Sequence, residues 1–475
     1  MDNKTVNITQ EQIDLQYSFM AQMREKTRSF FEEKGRMPKA HVLTFGCQQN
    51  EADSEYIAGM AAEMGYTLTE DATEADLIVV NTCAVREHAE LRALSITGQF
   101  KHLKKVNPEL KIGICGCMVT QEHRKDDIKN KYPYVDFLFG TNMLWRFPEI
   151  LLESFKKKKR LFYFDHSADN IWEGLPVERK SEFKAWISVM YGCNNFCSYC
   201  VVPYVRGRER SRDPKEILNQ IKELAEKGYK EFTLLGQNVN SYGKDLCIDY
   251  DFSDLLTDIC KIDGDFWVRF MTSHPKDASK KLIDTISRED KIVKHLHLPF
   301  QAGNDRVLKL MNRKYDSKGY FELVSYAKEK IPNVGLTSDV IVGFPTETDE
   351  EFEDTLEMLK KVEFDSVYSF IYSPRKDTPA AAMTGQIPEE VKKVRFSKLL
   401  EVQNSITKDL NTEYVGKTIK VLIEGKSKSD CKKYTGRNDK NRLVHIDGDD
   451  SLVGKFCRVK IDRADTFAMY GTVID

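Results

Sequence analysis

Residues 191–212 read YGCNNFCSYCVVPYVRGRERSR, with Cys193, Cys197 and Cys200 spaced C-x3-C-x2-C. Three thiolates this close together can cap three corners of a four-iron cubane, leaving one iron without a protein ligand and open to a small molecule. A closed zinc site would need a fourth ligand nearby. The next cysteine downstream is Cys247 and the next histidine is His274, neither at zinc-finger spacing. The spacing therefore predicts an open iron–sulfur site, and the flanking chain must build the scaffold that presents it.

Downstream of Phe183, six apolar runs alternate with helical stretches: AWISVMY, EFTLLGQ, FWVRFMT, HLHLPF, LTSDVIVGF and SVYSFIYS. Such alternation predicts parallel strands joined by helices, and six units are too few for a closed eight-fold barrel. The strands end in polar, Gly-rich tips that would share one rim. With its triplet, this segment resembles the radical S-adenosylmethionine enzymes. The resemblance implies a partial (β/α)6 barrel and a [4Fe-4S] cluster on Cys193, Cys197 and Cys200. The open iron would chelate S-adenosylmethionine, whose reductive cleavage gives a 5′-deoxyadenosyl radical. It also implies cofactor contacts: Tyr199 beside the adenine, Gln237 and Asn238 at the ribose or methionine end, and Ile341 and Gly343, within IVGFPTE, along the adenine. Arg206, Arg208, Arg210 and Arg212 alternate after the triplet and are expected to hold a carboxylate or RNA phosphate. His274, beside Pro275, and the His295/His297 pair read as structural.

Upstream, AHVLTF runs into Gly46-Cys47, DLIVV into Asn81-Thr82-Cys83, KIGIC into Gly116-Cys117, and VDFLFG ends at Thr141. Apolar strands separated by helices predict a parallel sheet, whose strand C-termini lie along one edge where ligands bind. Cys47, Cys83 and Cys117 should therefore converge as a second three-cysteine site, again one ligand short. Cys115, inside its strand, reads as core. FGCQQNEADSE, NTCAVRE and GCMVTQE resemble the cluster motifs of the methylthiotransferases, most closely the MiaB-type tRNA branch. The resemblance implies a second [4Fe-4S] cluster on these three cysteines that carries or delivers sulfur.

Residues 1–37 are polar and helical in pattern, and read as a packing or mobile arm. KKKKR at 156–160 opens a charged stretch that reads as a solvated linker or a contact to RNA phosphate. Beyond about Thr412 the helices give way to KTIKVLIEG, RLVHID, LVGKFCRVKI and FAMYGTVI, which predict a small all-β barrel. Residues 413–475 carry 13 Lys and Arg against 10 Asp and Glu, with a basic cluster around Tyr434-Thr435-Gly436. The segment resembles the RNA-binding TRAM domain, and its basic loop with an aromatic suits RNA contact. Cys431 and Cys457 read as incidental.

The expected class is α/β. Residues 1–37 are an extension, 38–156 a parallel-sheet domain carrying the auxiliary cluster, 157–180 a linker, 181–411 the radical core, and 412–475 an all-β TRAM barrel. The formal charge of −2 over 475 residues excludes a polycation, so RNA must be held by a local basic surface. Eleven cysteines without a secretion signal point to metal or redox use in a reducing cytoplasm, and no membrane span is predicted. The resemblance implies methylthio transfer to N6-isopentenyladenosine at position 37 in the anticodon arm of tRNA. One S-adenosylmethionine would give the radical and another the methyl group. The electron donor would be a flavodoxin or ferredoxin, and a monomer suffices. No side-chain acid, base or nucleophile is expected beyond the clusters. The rivals are the same chemistry on threonylcarbamoyl-adenosine or on a ribosomal-protein aspartate, and, in another class, an electron carrier or RNA-binding module.

Overall fold

The computed structural model describes residues 5–85, 87–157, 159–164, 169–428, 430 and 432–474. Lys158 of the basic run and Cys431 lie outside the described residues. The chain forms two compact units: residues 1–181 with 190–196 and 200–212, and residues 182–189 with 197–199 and 213–475.

The first unit is built on a parallel sheet. Its strands are β1 (Lys39–Thr44), β2 (Thr67–Leu68), β3 (Leu77–Thr82), β4 (Lys111–Gly116), β5 (Phe137–Phe139) and β6 (Leu161–Tyr163), in the order β2-β1-β3-β4-β5-β6. Every residue of β3 is buried, as expected of a central strand covered on both faces. One face packs on Met60, Phe137, Phe147 and Leu151, the other on Phe100, Ile112, Val119 and Ile128. Helix α1 (Gln10–Lys34) opens with a Thr9/Gln12 capping box and buries Ile13, Met20 and Met23 in the first of these cores. The N-terminal extension is thus a packing arm.

Two strands of this sheet were not foreseen. β2 has two residues, too few for a period, and β6 lies within the stretch read as linker. That stretch is not a free tether: Trp172 and Leu175 are buried in the first unit's core, and Arg179 pairs with Glu55 at 2.7 Å.

The second unit holds the six expected strands as two parallel sheets. β7 (Lys184–Ser188), β8 (Glu231–Leu235) and β9 (Trp267–Phe270) run β9-β8-β7, and β10 (His295–His297), β11 (Gly335–Val342) and β12 (Ser366–Ile371) run β10-β11-β12. A parallel bridge from Val268 to Ile292 joins them into a partial barrel. Residues 418–473 form a closed barrel of β13 (Thr418–Lys426), β14 (Tyr434–Asn438), β15 (Leu443–Ile446), β16 (Phe456–Ala464) and β17 (Met469–Val473), in the order β13-β14-β15-β17-β16. It seats Leu422 against Trp267 and Val293, and Arg269 donates to the carbonyls of Asn438 and Asp439 at 2.7 and 3.1 Å.

β14 corrects one expectation. The stretch read as a basic loop with an aromatic is a strand, and Tyr434 is buried in the barrel core with its hydroxyl on Asp450 at 2.6 Å. Glycine and charge masked a strand whose alternation is Tyr434, Gly436, Asn438 inward. Arg442 of the same cluster is half-buried on Asp365 and Asn411. No helix among the described residues is long and apolar enough to cross a membrane.

Candidate cluster and cofactor sites

In the first unit, β1, β3 and β4 lie side by side, and each is followed at its C-terminal end by one cysteine: Cys47, Cys83 and Cys117. Glycine lets the three approach. A Cβ on Gly46 would stand 2.5 Å from Cys83 Cβ, and one on Gly116 would stand 2.4 Å from the Thr82 carbonyl oxygen. Both glycines hold positive φ, 138° and 96°, which side chains rarely adopt. The buried amide of Asn50 braces the edge by donating to Asn81 Oδ1 and the Thr82 carbonyl, and Asn81 donates back to the Asn50 carbonyl at 2.9 Å.

Each sulfur of this triad has a polar partner. Cys47 Sγ donates to Asn50 Oδ1 at 3.3 Å, Cys83 Sγ accepts from the Val85 N–H at 3.3 Å, and Cys117 Sγ accepts from Arg206 Nε at 3.1 Å. Cys83 and Cys117 are buried and Cys47 is exposed, so the triad is closed below and open at one corner. Burial pushes the Cys117 thiol up to about 12, against the pull of Arg206. Burial also opposes the charge on Arg206, but the Asp53 carboxylate at 2.7 Å and the nearby sulfurs outweigh it and keep the guanidinium protonated. Cys115 faces the opposite way into the apolar core, as its place inside the strand required.

Of the radical triplet, Cys193 and Cys200 belong to the first unit and Cys197 to the second. A two-strand hairpin pairs Met190–Tyr191 with Arg210–Ser211 and closes the base of the loop, and the Cys193 N–H donates to the Gly207 carbonyl at 3.2 Å. Gly192 is required there, because a Cβ would sit 1.9 Å from the Arg208 carbonyl oxygen. Phe196 holds a φ of 46°, an uncommon backbone for an aromatic, with the Arg208 guanidinium 4.4 Å from its ring centre. In the second unit, Cys197 Sγ accepts from Arg313 Nη1 at 3.4 Å.

Of the two expectations for the alternating arginines, a carboxylate is met by Arg206 and Arg212, and RNA phosphate is corrected for the three buried ones. Arg206, Arg210 and Arg212 are buried and engaged within the first unit, so they are closed to RNA phosphate. Arg206 binds Asp53, Arg212 forks onto Glu173 at 2.6 Å, and Arg210 donates to the carbonyls of Asn170, Arg206 and Arg208. Their carboxylate partners are the protein's own. Arg208 alone of the four is exposed.

The mouth of the second unit gathers the expected cofactor residues. Tyr199 and Ile341 pack on one apolar cluster with Ala302, Phe344 and Tyr372. The Gly343 N–H donates to Glu347 Oε2 at 2.8 Å, and Arg395 grips the same oxygen at 2.9 Å, which fixes the turn after β11. Asn238 is buried with its amide on Asp277 at 2.9 Å, and Gln237 beside it is half-buried. Three atoms stand out here, one of them on His274, which the sequence reading took as structural. Ser273 Oγ, His274 Nε2 and Gln301 Oε1, from the tips after β9 and β10, are buried without a hydrogen-bond partner among the described residues. His274 Nδ1 accepts from the Lys276 N–H at 3.2 Å, and burial, helped by Arg313, lowers the ring to about 2. The ring is therefore neutral and carries its proton on Nε2, a donor with no partner. Its place at a strand tip was the available signal. His295 and His297 both bond Thr337 Oγ1 at 2.9 Å and are structural.

The donor chemistry fits iron–sulfur clusters. Cys47, Cys83 and Cys117 bring three thiols to one sheet edge, and the cysteines of a cubane each hold a different iron.

Fold and cysteine pattern together define a radical S-adenosylmethionine protein with an additional cysteine-bearing sheet domain. The model of the Radical SAM superfamily matches residues 187–359, that of Uncharacterized protein family UPF0004 residues 39–140, and that of the TRAM domain residues 412–474. The tRNA-2-methylthio-N(6)-dimethylallyladenosine synthase of Acetivibrio thermocellus is 47% identical over 473 residues, spanning 100% of this chain and 98% of its own. That of Alkaliphilus oremlandii is 50% identical over 441 residues, 93% and 94% of the two chains. The chain belongs to the tRNA-2-methylthio-N(6)-dimethylallyladenosine synthase family. Among solved structures, the radical S-adenosylmethionine methyltransferase TsrM from Kitasatospora setae shares the fold, with a TM-score of 0.52, 12% identity, and 72% and 75% of the two chains covered.

Proposed function

We propose that the protein converts N6-(dimethylallyl)adenosine at position 37 of tRNA to its 2-methylthio derivative. The observation that carries this reading is the meeting of Cys47, Cys83 and Cys117 at one sheet edge, in a chain that also holds the triplet Cys193, Cys197 and Cys200. A simple radical initiator needs one such set; transfer of sulfur to an unactivated ring carbon gives a use for the second. When bound, the two [4Fe-4S] clusters and S-adenosylmethionine supply the one-electron chemistry, the sulfur and the methyl group, which no side chain provides.

The chain's own residues bind, orient and shield. Cys193, Cys197 and Cys200 hold one cluster and Cys47, Cys83 and Cys117 the other. Tyr199 and Ile341 give the adenine of the cofactor an apolar seat. Ser273 Oγ, His274 Nε2–H and Gln301 Oε1 are buried polar atoms that a polar ligand at the mouth would satisfy, and leaving them unmet costs about 1–3 kcal/mol each. Gln237 and Gly343 line the same rim, and Asn238 fixes it through Asp277. The target adenosine lies in a loop of the anticodon arm, where unstacking is cheap. The C-terminal barrel holds that arm. The reductant is a small electron-transfer protein of flavodoxin or ferredoxin type, and the setting is the cytoplasm, with the enzyme acting as a monomer.

The test is nucleoside mass spectrometry after anaerobic reaction of the reconstituted protein with S-adenosylmethionine, a reductant and tRNA. Dimethylallyl-adenosine tRNA should gain a methylthio group, while threonylcarbamoyl-adenosine tRNA and unmodified tRNA should not. Gain on the threonylcarbamoyl sample would move the substrate. Cleavage of S-adenosylmethionine without gain on any tRNA would remove tRNA as the acceptor.

A further inference from the structure

In each unit a buried arginine bonds a sulfur of a cysteine triad: Arg206 on Cys117 and Arg313 on Cys197. In the first, Arg206 Nε lies 3.1 Å from Cys117 Sγ while Nη2 pairs with Asp53 at 2.7 Å. Asp53 in turn accepts from the Gln49 amide at 3.1 Å, so the guanidinium is held from behind. In the second, Arg313 Nη1 lies 3.4 Å from Cys197 Sγ, its Nη2 donates to the Pro299 carbonyl at 2.7 Å, and its Nε donates to Tyr315 Oη at 2.9 Å. Both side chains are buried, and ion pairing to bulk solvent is closed to them. A buried cation is costly unless something compensates it. Arg206 has one carboxylate for compensation. Arg313 bonds the neutral oxygens of Pro299 and Tyr315 besides the Cys197 sulfur.

The placement of Arg206 adds a second point. The helix Val202–Arg206 starts two residues after Cys200 and ends in the arginine that bonds Cys117. Val201 and Val205 pack on Ala84 and Cys117 in one small apolar cluster. The segment that leaves one cysteine set therefore ends on a ligand of the other.

We propose that Arg206 and Arg313 are positioning residues that set the reduction potentials of the two clusters, each through an N–H···S bond to a single ligand sulfur. This rests on the ligand assignment made above. Hydrogen bonds and positive charge at cluster sulfurs favour the reduced, more negative state, so losing either arginine lowers the potential of its own centre. The effect is local to each set, which makes it separable.

The test uses the full chain with one cluster at a time. C47A/C83A/C117A leaves the radical set and C193A/C197A/C200A leaves the auxiliary set. Each should bind about half the wild-type iron; unchanged iron would refute the ligand assignment itself. Anaerobic redox titration followed by electron paramagnetic resonance then reads the midpoint of each remaining centre. Arg206→Gln should lower the auxiliary midpoint by at least a tenfold change in the reduction equilibrium, about 59 mV for one electron, and leave the radical midpoint in place. Arg313→Gln should do the reverse. Arg206→Lys, which keeps the charge but loses the planar fork, should restore part of the shift. If Arg206→Gln folds poorly, Asp53→Asn tests the same point by loosening the guanidinium without touching a sulfur. Midpoints unchanged with full iron content would overturn the proposal while sparing the ligand assignment.

Discussion

At the scale of single residues, the structure turns on close approaches that only one side chain permits. Gly192 is the sharpest case, since alanine would drive a Cβ to 1.9 Å from a backbone oxygen that cannot move without opening the Met190–Tyr191 hairpin. Gly192→Ala is expected to lower activity about a hundredfold, the usual result of displacing reacting groups by an ångström. Iron should be lost from the radical set only, which counting iron in the C47A/C83A/C117A background would check. His274 gives a pH prediction. Its folded-state pKa lies below the ordinary histidine value, so the stability it contributes is complete above about pH 6.5 and is lost as pH falls toward its folded value. The sensitivity is about 1.4 kcal/mol per pH unit below that point for one such group. Replacing His274 with Gln should flatten this dependence in denaturant titrations between pH 7.5 and 5. Equal slopes for the two proteins would show that the ring is not held neutral.

Individual elements divide the chemistry. The sheet edge after β1, β3 and β4 carries one cysteine set and the loop closed by the hairpin carries part of the other, so their losses should separate. Cys47→Ala should still release 5′-deoxyadenosine from S-adenosylmethionine, yet give no methylthio product. Cys197→Ala should abolish both, and chromatography of a single reaction would show either pattern. The β16–β17 turn makes a third prediction. Phe467 is exposed there, the Arg463 guanidinium lies 3.9 Å from the Tyr470 ring centre, and His445 stacks on the same ring at 5.1 Å. Exposed aromatics and cations are the groups that stack on nucleic-acid bases. Phe467→Ala should weaken tRNA binding by about 1–3 kcal/mol while leaving the salt dependence of binding unchanged, because no phosphate contact is removed. A change in slope with no loss at low salt would assign the residue otherwise.

For the whole molecule, the C-terminal barrel is part of the second unit's core as well as the proposed holder of the anticodon arm. Leu422 seals Trp267 and Val293, Arg442 joins Asp365 and Asn411, and Lys184 bridges Glu231 and Glu424 at 2.8 and 2.6 Å. A chain ending at residue 411 should therefore lose stability, not only tRNA affinity. Uncovering a buried Trp and its neighbours costs about 3–5 kcal/mol. Soluble yield and thermal melting of that truncation, set beside Phe467→Ala, distinguish the two roles.

The sequence by itself determined the repeating pattern and the positions of the cysteines. Six barrel strands, the sheet strands that end in Cys47, Cys83 and Cys117, and the separate β tail follow from apolar periodicity and turn residues, which act over a few neighbours. The core role of Cys115 followed from the same alternation. What only the tertiary structure decided are the long-range partners. Arg206 and Arg210 read as holding a carboxylate or RNA phosphate until Asp53 and Asn170 closed over them, Tyr434 looked like a loop aromatic until β14 turned it inward, and β6 needed β5 beside it to exist as a strand. The physical reason is that charge and polarity report exposure only on average. Whether a particular guanidinium meets solvent, a carboxylate or a thiolate depends on groups a hundred residues away, whose approach is set by packing.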